Sequence, residues 1–216
     1  MNLLPLAHTA FDSGDFRQAA ELYRAHLHVH SADCNALASL AAALYHLDQP
    51  QQAMEALQQA LLFNDGHTAA LLNMSILLND QGRAYESGTF LFRLLLTHPA
   101  HPQAHTELAY AILLSGNAQA ALNLLCQGQP QFGFFGGRLH FIRAQCLESL
   151  SDLEQAERGY VAALACQKDT RYAAGLERVR TRIWKRRLPL LSLREQPGSA
   201  VARLDANLFA LLIKHC

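Results

Sequence analysis

The sequence predicts an all-α protein, a solenoid of stacked helix-turn-helix units, and three observations carry that expectation. A period of 34 residues runs through the chain: Gly14, Asp48, Gly82 and Gly116 stand 34 apart, as do Ala19, Ala53, Ser87 and Ala121, and a fifth copy with Ser151 and Ala156 follows after 35. A fixed period of this length marks hairpins that cannot bury an apolar face alone and therefore stack. Each kind of position also keeps its kind of residue. A small residue recurs in first helices (Ala7, Ala41, Ser75, Ala109, Ala144), where another helix must come close, and a large one in second helices (Tyr23, Leu57, Leu91, Leu125, Tyr160). Finally, 50% of the 216 residues are apolar and only seven are proline, a composition that favours helix.

The units follow in order as 1–33, 34–67, 68–101, 102–136 and 137–168. Each reads as two helices of about three to four turns. Within the units, the turns Ser13-Gly14-Asp15, Asp48-Gln49-Pro50, Gln81-Gly82 and Ser115-Gly116-Asn117 supply glycine for left-handed backbone or Ser, Asp and Asn for capping. Pro50 fits a first helical turn, where its missing N–H costs nothing. Asp65-Gly66-His67 and His98-Pro99-Ala100-His101-Pro102 separate units. Leu6, Leu40, Met74 and Leu108 fall in phase as apolar positions of first helices, and Leu27, Leu61, Leu95 and Leu164 as those of second helices. The array loosens at Gln127 to Gly137, so the second helix of unit four is expected to end early, with Phe132, Phe134 and Phe135 filling the gap or gripping a partner. Unit five has Arg143 where the others have Leu or Met, and a four-repeat array with an irregular C-terminal pair of helices stays open.

Beyond the array, residues 169–187 read as a basic capping helix, with Thr170 as its cap and Tyr172, Leu176, Val179 and Ile183 at helical spacing. Residues 188–216 read as a linker followed by an amphipathic stretch through Val201, Leu204, Leu208, Leu211 and Leu212.

This register resembles the tetratricopeptide repeat (TPR) over residues 2 to 168, most clearly at Gly14-Asp15-Phe16 and Ala19. It departs from that family where a bulky aromatic belongs near the start of each unit: here stand Leu3, Leu37, Leu71, His105 and His140, and the closing proline survives only as Pro99. The resemblance implies a right-handed α-solenoid whose first helices line a concave, partner-binding face. Its residues would be His8, Phe11 and Asp12 from unit one, and Asn35, Ala38, Ala42, Tyr45 and His46 from unit two. Unit three would add Leu72, Ile76, Asn79 and Asp80. The last two units would add Thr106, Tyr110, Leu113, Leu114, Phe141, Gln145 and Glu148. Where family members that hold a C-terminal carboxylate carry Lys or Arg, this chain has Asp12, His46, Asp80, Leu114 and Ser149, so such a clamp is not expected. The lining reads as largely apolar and aromatic, suited to an apolar segment or amphipathic helix of a protein partner, or to the C-terminal helix of the same chain.

Charge divides the chain. Residues 1–167 hold 7 Lys+Arg and 14 Asp+Glu, and residues 168–216 hold 11 and 4. A basic surface is expected from Arg171, Arg178, Arg180, Arg182, Lys185, Arg186 and Arg187. With aromatic interleaving limited to Tyr172 and Trp184, nucleic acid ranks well below protein as its partner. The groupings His26, His28, His30 with Cys34, and His98, His101, His105, have metal-like spacing but lack an evident set of three or four supported ligands, so no metal is expected. None of the short catalytic or phosphate-binding motifs occurs, so neither enzymatic activity nor a cofactor is expected. The apolar start lacks a basic flank and no apolar run reaches a membrane span. Five scattered cysteines suit reduced thiols. The expectation is a cytoplasmic adaptor or chaperone, or else a structural subunit of an assembly.

Overall fold

The computed structural model describes residues 3–127 and 136–192, with side chains to 126 in the first stretch and to 187 in the second. Phe132, Phe134 and Phe135, and the stretch from Val201 to Leu212, lie outside the described residues. Ten helices form five hairpins: α1 Leu4–Asp12 with α2 Phe16–Leu27, α3 Cys34–His46 with α4 Pro50–Phe63, α5 Thr68–Asp80 with α6 Ala84–Thr97, α7 Pro102–Leu114 with α8 Ala118–Gln127, and α9 Gly136–Ser149 with α10 Leu153–Cys166. An eleventh helix, α11 Thr170–Ser192, follows. Each helix packs on the next, and first helices also pack on one another, α3 on α5, α5 on α7 and α7 on α9. The result is an α-solenoid with no strand among the described residues.

The repeat rows explain the stacking. Ala19, Ala53, Ser87, Ala121 and Ala156 are fully buried, as are Ala7, Ser75, Ala109 and Ala144, because a larger side chain there would hold neighbouring helices apart. The large row, Tyr23, Leu57, Leu91, Leu125 and Tyr160, fills the space between units and is equally buried. Ser75 and Ser87 are tolerated because their hydroxyls find carbonyls: Ser75 Oγ donates to Leu72 at 2.7 Å and Ser87 Oγ to Ser75 at 3.1 Å. Leu6 departs from its row and is exposed.

Inside every hairpin the chain turns through one left-handed residue: Gly14 (φ 83°), Asp48 (57°), Gly82 (74°), Gly116 (89°) and Ser151 (64°). These residues form one row of the 34-residue period. Capping follows a period too. Asp33 accepts the Ala36 N–H, and 34 and 68 residues on, His67 and His101 accept the N–H of Ala70 and Ala104 through Nδ1. For α11 the cap is Asp169 rather than Thr170, its Oδ1 accepting the Arg171 N–H at 2.8 Å. Helix α11 runs past residue 187 to Ser192 and lays Tyr172, Leu176, Val179 and Ile183 on the core formed by α7 to α10. Among the described residues no helix is long and apolar enough to cross a membrane.

Candidate functional site

The concave side of the array holds two adjoining cavities. One, of about 380 Å³, lies over Ala41, Ala42 and Ile76, with Asn73, Gln103 and Gln167 along it and Arg138, Arg171 and Tyr172 opposite. The second, of about 640 Å³, is lined by Asp48, Pro50, Asp80, Gln81, Lys168 and Asp169. Tyr45, His46 and Arg171 belong to the walls of both.

A charged network stands at that shared wall. Asp80, at the end of α5, accepts the Tyr45 hydroxyl and Arg171 Nη1 (3.0 Å) on Oδ2, and Arg138 Nη2 (3.1 Å) on Oδ1. Arg171 Nη1 also lies 3.3 Å from the Tyr45 oxygen, and its Nε and Nη2 remain on Asp169. Arg138 in turn donates through Nε and Nη2 to Glu107 and lies 5.4 Å above the Tyr110 ring. Asn79 completes the arrangement, donating to Glu107 Oε2 at 3.1 Å.

The two arginines differ in how firmly they are held. Glu107 is 2% exposed and the Arg138 side chain 23%, so separating them strands charge in a poorly solvated place. Arg171 is 46% exposed, and exposed pairs contribute about 0.2–1 kcal/mol. The contacts move the tyrosine and histidine protons as well. Burial and then the Asp80 charge push the Tyr45 hydroxyl above its usual range, while burial and then Arg171 hold His46 below the usual imidazole range.

Of the residues expected on this face, Ala42, Tyr45, His46 and Ile76 line the 380 Å³ cavity, and Thr106 lines a smaller one of about 220 Å³ beside Gly137 and Arg138. Phe11 is half-buried against Phe16 and His46, and His46 stacks on Phe16 at 4.1 Å. His8 is exposed and meets the Tyr23 ring, whereas Asn35 is tied to His67 at 3.0 Å. Ala38, Leu72 and Asn79 are buried between helices. Tyr110 lies beneath Arg138, Leu113 packs half-buried against the core and Gln145 is half-buried. Phe141 is closed in by Tyr160 and Tyr172.

Glu148, also expected there, instead anchors α11. It accepts Arg178 through both oxygens (2.7 and 2.8 Å), Arg182 at 3.2 Å and the Tyr160 hydroxyl at 2.8 Å.

The apolar lining also carries charge that the register did not single out: Arg138 stands on the cavity wall and is held from behind by the buried Glu107. The tail arginines are exposed but mostly engaged in ion pairs. Arg171 reaches into the concave face, Arg178 and Arg182 are spent on Glu148, Arg180 pairs with Glu157 at 2.8 Å, and Arg187 lies 3.9 Å from Glu154. Lys185 and Arg186 are exposed.

The histidine groupings serve the fold. His26 bonds Asp33 at 3.1 Å, His101 caps α7, and His105 Nε2 lies 2.8 Å from the Pro99 carbonyl. Among the described residues no group of three or more His, Cys, Asp or Glu is placed to hold a metal.

The outer face carries a feature not anticipated. Tyr85, Phe92 and Leu96 are 89%, 65% and 65% exposed on one stripe of α6, and Leu62 and Phe63 are exposed at the end of α4. The sequence signal was present: α6 is apolar on more of its circumference than one buried face requires.

A solenoid of 34-residue helical hairpins with a hollow concave side belongs to the class of helical-repeat interaction scaffolds. Residues 4–70 match the tetratricopeptide repeat family, and the remaining hairpins continue the same fold and register. Among solved structures, the chain resembles a thermophilic TPR protein of Thermus thermophilus (21% identity, TM-score 0.67, covering 81% of this chain and 97% of that one). It also resembles pilF of Pseudomonas aeruginosa (19%, TM-score 0.62, covering 95% and 96%). Against the APC/C hetero-tetramer Cut9-Hcn1 the TM-score is 0.72 at 12% identity, covering 82% of this chain and 35% of that one. At these identities the likeness is one of fold. No curated protein sequence matches the chain.

Proposed function

We propose that the protein is a non-catalytic adaptor or chaperone that seats a segment of a partner protein in its concave face and works in the cytoplasm. The cavity over Ala41, Ala42 and Ile76 carries this reading. Its floor is small and apolar, which leaves room for an inserted apolar side chain. The amides of Asn73, Gln103 and Gln167 beside it can bond the backbone of an extended or partly helical segment. Its charged groups are already paired with one another, an arrangement suited to grip and orientation.

A photo-crosslinking residue placed at Ile76 or Ala42 in the full chain is expected to trap the same partner from both positions in the cell that makes the protein. The position of Arg180, which faces Glu157, should trap none of it. No product from either cavity position would reject the reading.

A second reading is favoured by the exposed stripe of Tyr85, Phe92 and Leu96: a subunit docked into a larger assembly through its outer face. Apolar patches of this kind mark contact surfaces. Capture from a crosslinker at Tyr85 and not at Ile76 would select it.

A further inference from the structure

We infer that Arg171, Asp80 and Tyr45 form a reversible clasp across the concave face, and that opening it joins two separate open cavities into one groove. Helix α11 packs on α10 and, over a shorter stretch, on α9. Arg171, at its first turn, nevertheless reaches Tyr45, 126 residues away at the end of α3, and Asp80, 91 residues away at the end of α5. These side chains stand where the cavities of about 380 and 640 Å³ meet, and Tyr45 and Arg171 line both. Separately, the smaller space holds less than one turn of a helix about 10–12 Å in diameter, and the larger about one turn. Joined, they come to about 1000 Å³, enough for a longer helical or extended segment.

The bonding is arranged for release on one side only. Asp80 keeps Arg138 when Arg171 leaves, and Arg138 is itself fixed on the buried Glu107. Arg171 loses only its Nη1 contacts, because Nε and Nη2 stay on Asp169 at 3.2 and 2.8 Å. Neither partner is stranded by opening, so the closed and open arrays lie close in free energy and salt shifts the balance between them. As a gate for a partner the clasp rests on the reading of the cavity as the partner's seat. As a moving part of the free protein it does not.

Electron–electron double resonance on the full chain without partner tests it, with encoded nitroxide residues at the exposed Gln51 and Glu177 so that the five cysteines are left alone. At low salt the wild type should show one main distance. At about 1 M salt, where the Debye length is about 3 Å, a longer population should grow. Arg171→Ala should show that longer population at both salts, with an open-to-closed ratio raised roughly two- to five-fold, as befits one exposed ion pair. Tyr45→Phe, which deletes a single hydroxyl, should move the ratio the same way by less. Distributions that superimpose for wild type and both variants at both salts would overturn the clasp. So would an equal lengthening in Arg180→Ala, which pairs with Glu157 on the far side of α11. Crosslinking from Ile76 decides separately whether the cavity is the partner's seat.

Discussion

Arg138 Nη2 donates to Glu107 Oε2 at 2.9 Å, joining α9 to the buried interior of α7 across 31 residues of sequence. The same guanidinium holds Asp80 and covers Tyr110, so three first helices depend on it. Arg138→Ala removes the ion-pair partner of Glu107 in the core and leaves it the Asn79 amide. It is expected to cost about 3–5 kcal/mol in urea unfolding, against about 0.2–1 kcal/mol for Arg171→Ala. Equal losses for the two variants would show that burial does not distinguish the two ion pairs.

The left-handed row offers a stability gain at its non-glycine members. Ser151, at φ 64°, holds a conformation that costs an L-residue about 1–2 kcal/mol. Glycine removes that strain but makes the unfolded chain freer. The net gain expected for Ser151→Gly is about 0.5–1 kcal/mol, seen as a raised urea midpoint with unchanged slope. Asp48→Gly should gain less, since Asp tolerates this region better. Gly82→Ala, at φ 74° with open space around it, should lose about 1–2 kcal/mol.

Acid should loosen α11 through Glu148. Burial alone would raise this carboxyl, but hydrogen bonds from Arg178 and Tyr160 and the Arg178 charge outweigh it and hold it below the ordinary value of 4.5. A carboxyl lowered in the folded state contributes its full stability above the unfolded value and loses it as pH falls through the folded one. Stability should therefore be level with respect to this group above about pH 5 and decline below pH 4.5. Glu148→Gln should be less stable at neutral pH and show a shallower acid decline. An unchanged acid slope in that variant would remove Glu148 from the explanation.

Thiol reactivity should follow burial. Cys146 is buried, and burial pushes its thiol up to about 11, whereas Cys126 and Cys166 are exposed. Iodoacetamide at neutral pH is expected to modify Cys126 and Cys166 first, Cys34 more slowly, and Cys146 only once denaturant unfolds α9. Mass spectrometry of digests over time reads the order directly. Early modification of Cys146 would mean that α9 opens readily.

The stacking was legible because it is periodic: a buried small residue every 34 positions, as from Ala7 to Ala41 or Ala19 to Ala53, leaves a mark that one sequence displays. The concave chemistry was not, because it joins elements that no period relates. Arg138 stands at the repeat position of Asn35, Ala69 and Gln103, none of them charged, so the other units give no hint of an ion pair there. Arg171 shares its helix with outward arginines, and helical spacing alone cannot show that the first turn of α11 aims across the hollow toward Tyr45. Glu107 reads as an ordinary exposed helix residue until Arg138 and Asn79 are seen to meet it in the core. Ala42, Tyr45 and Ile76, by contrast, follow the register, and the structure places them together around one cavity.

Gly175 puts helix propensity and packing in direct opposition. In the middle of α11 glycine is unfavourable, and alanine would gain about 1 kcal/mol by propensity. A Cβ at 175 would, however, stand inside the envelope of the Tyr160 ring, with Cζ only 2.7 Å away. That ring cannot yield cheaply, because its hydroxyl is held by Glu148 at 2.8 Å and Arg178 lies 3.2 Å from the same oxygen. Overpacking of this kind costs about 1–3 kcal/mol, so packing should prevail and Gly175→Ala should lower the thermal midpoint and expose α11 to protease. Tyr160→Leu removes the obstacle and its hydrogen bonds together. In that background Gly175→Ala should turn neutral or stabilising, and the difference between the two backgrounds, read as a double-mutant cycle, measures how far the close approach of α11 to α10 rests on this one missing methyl group.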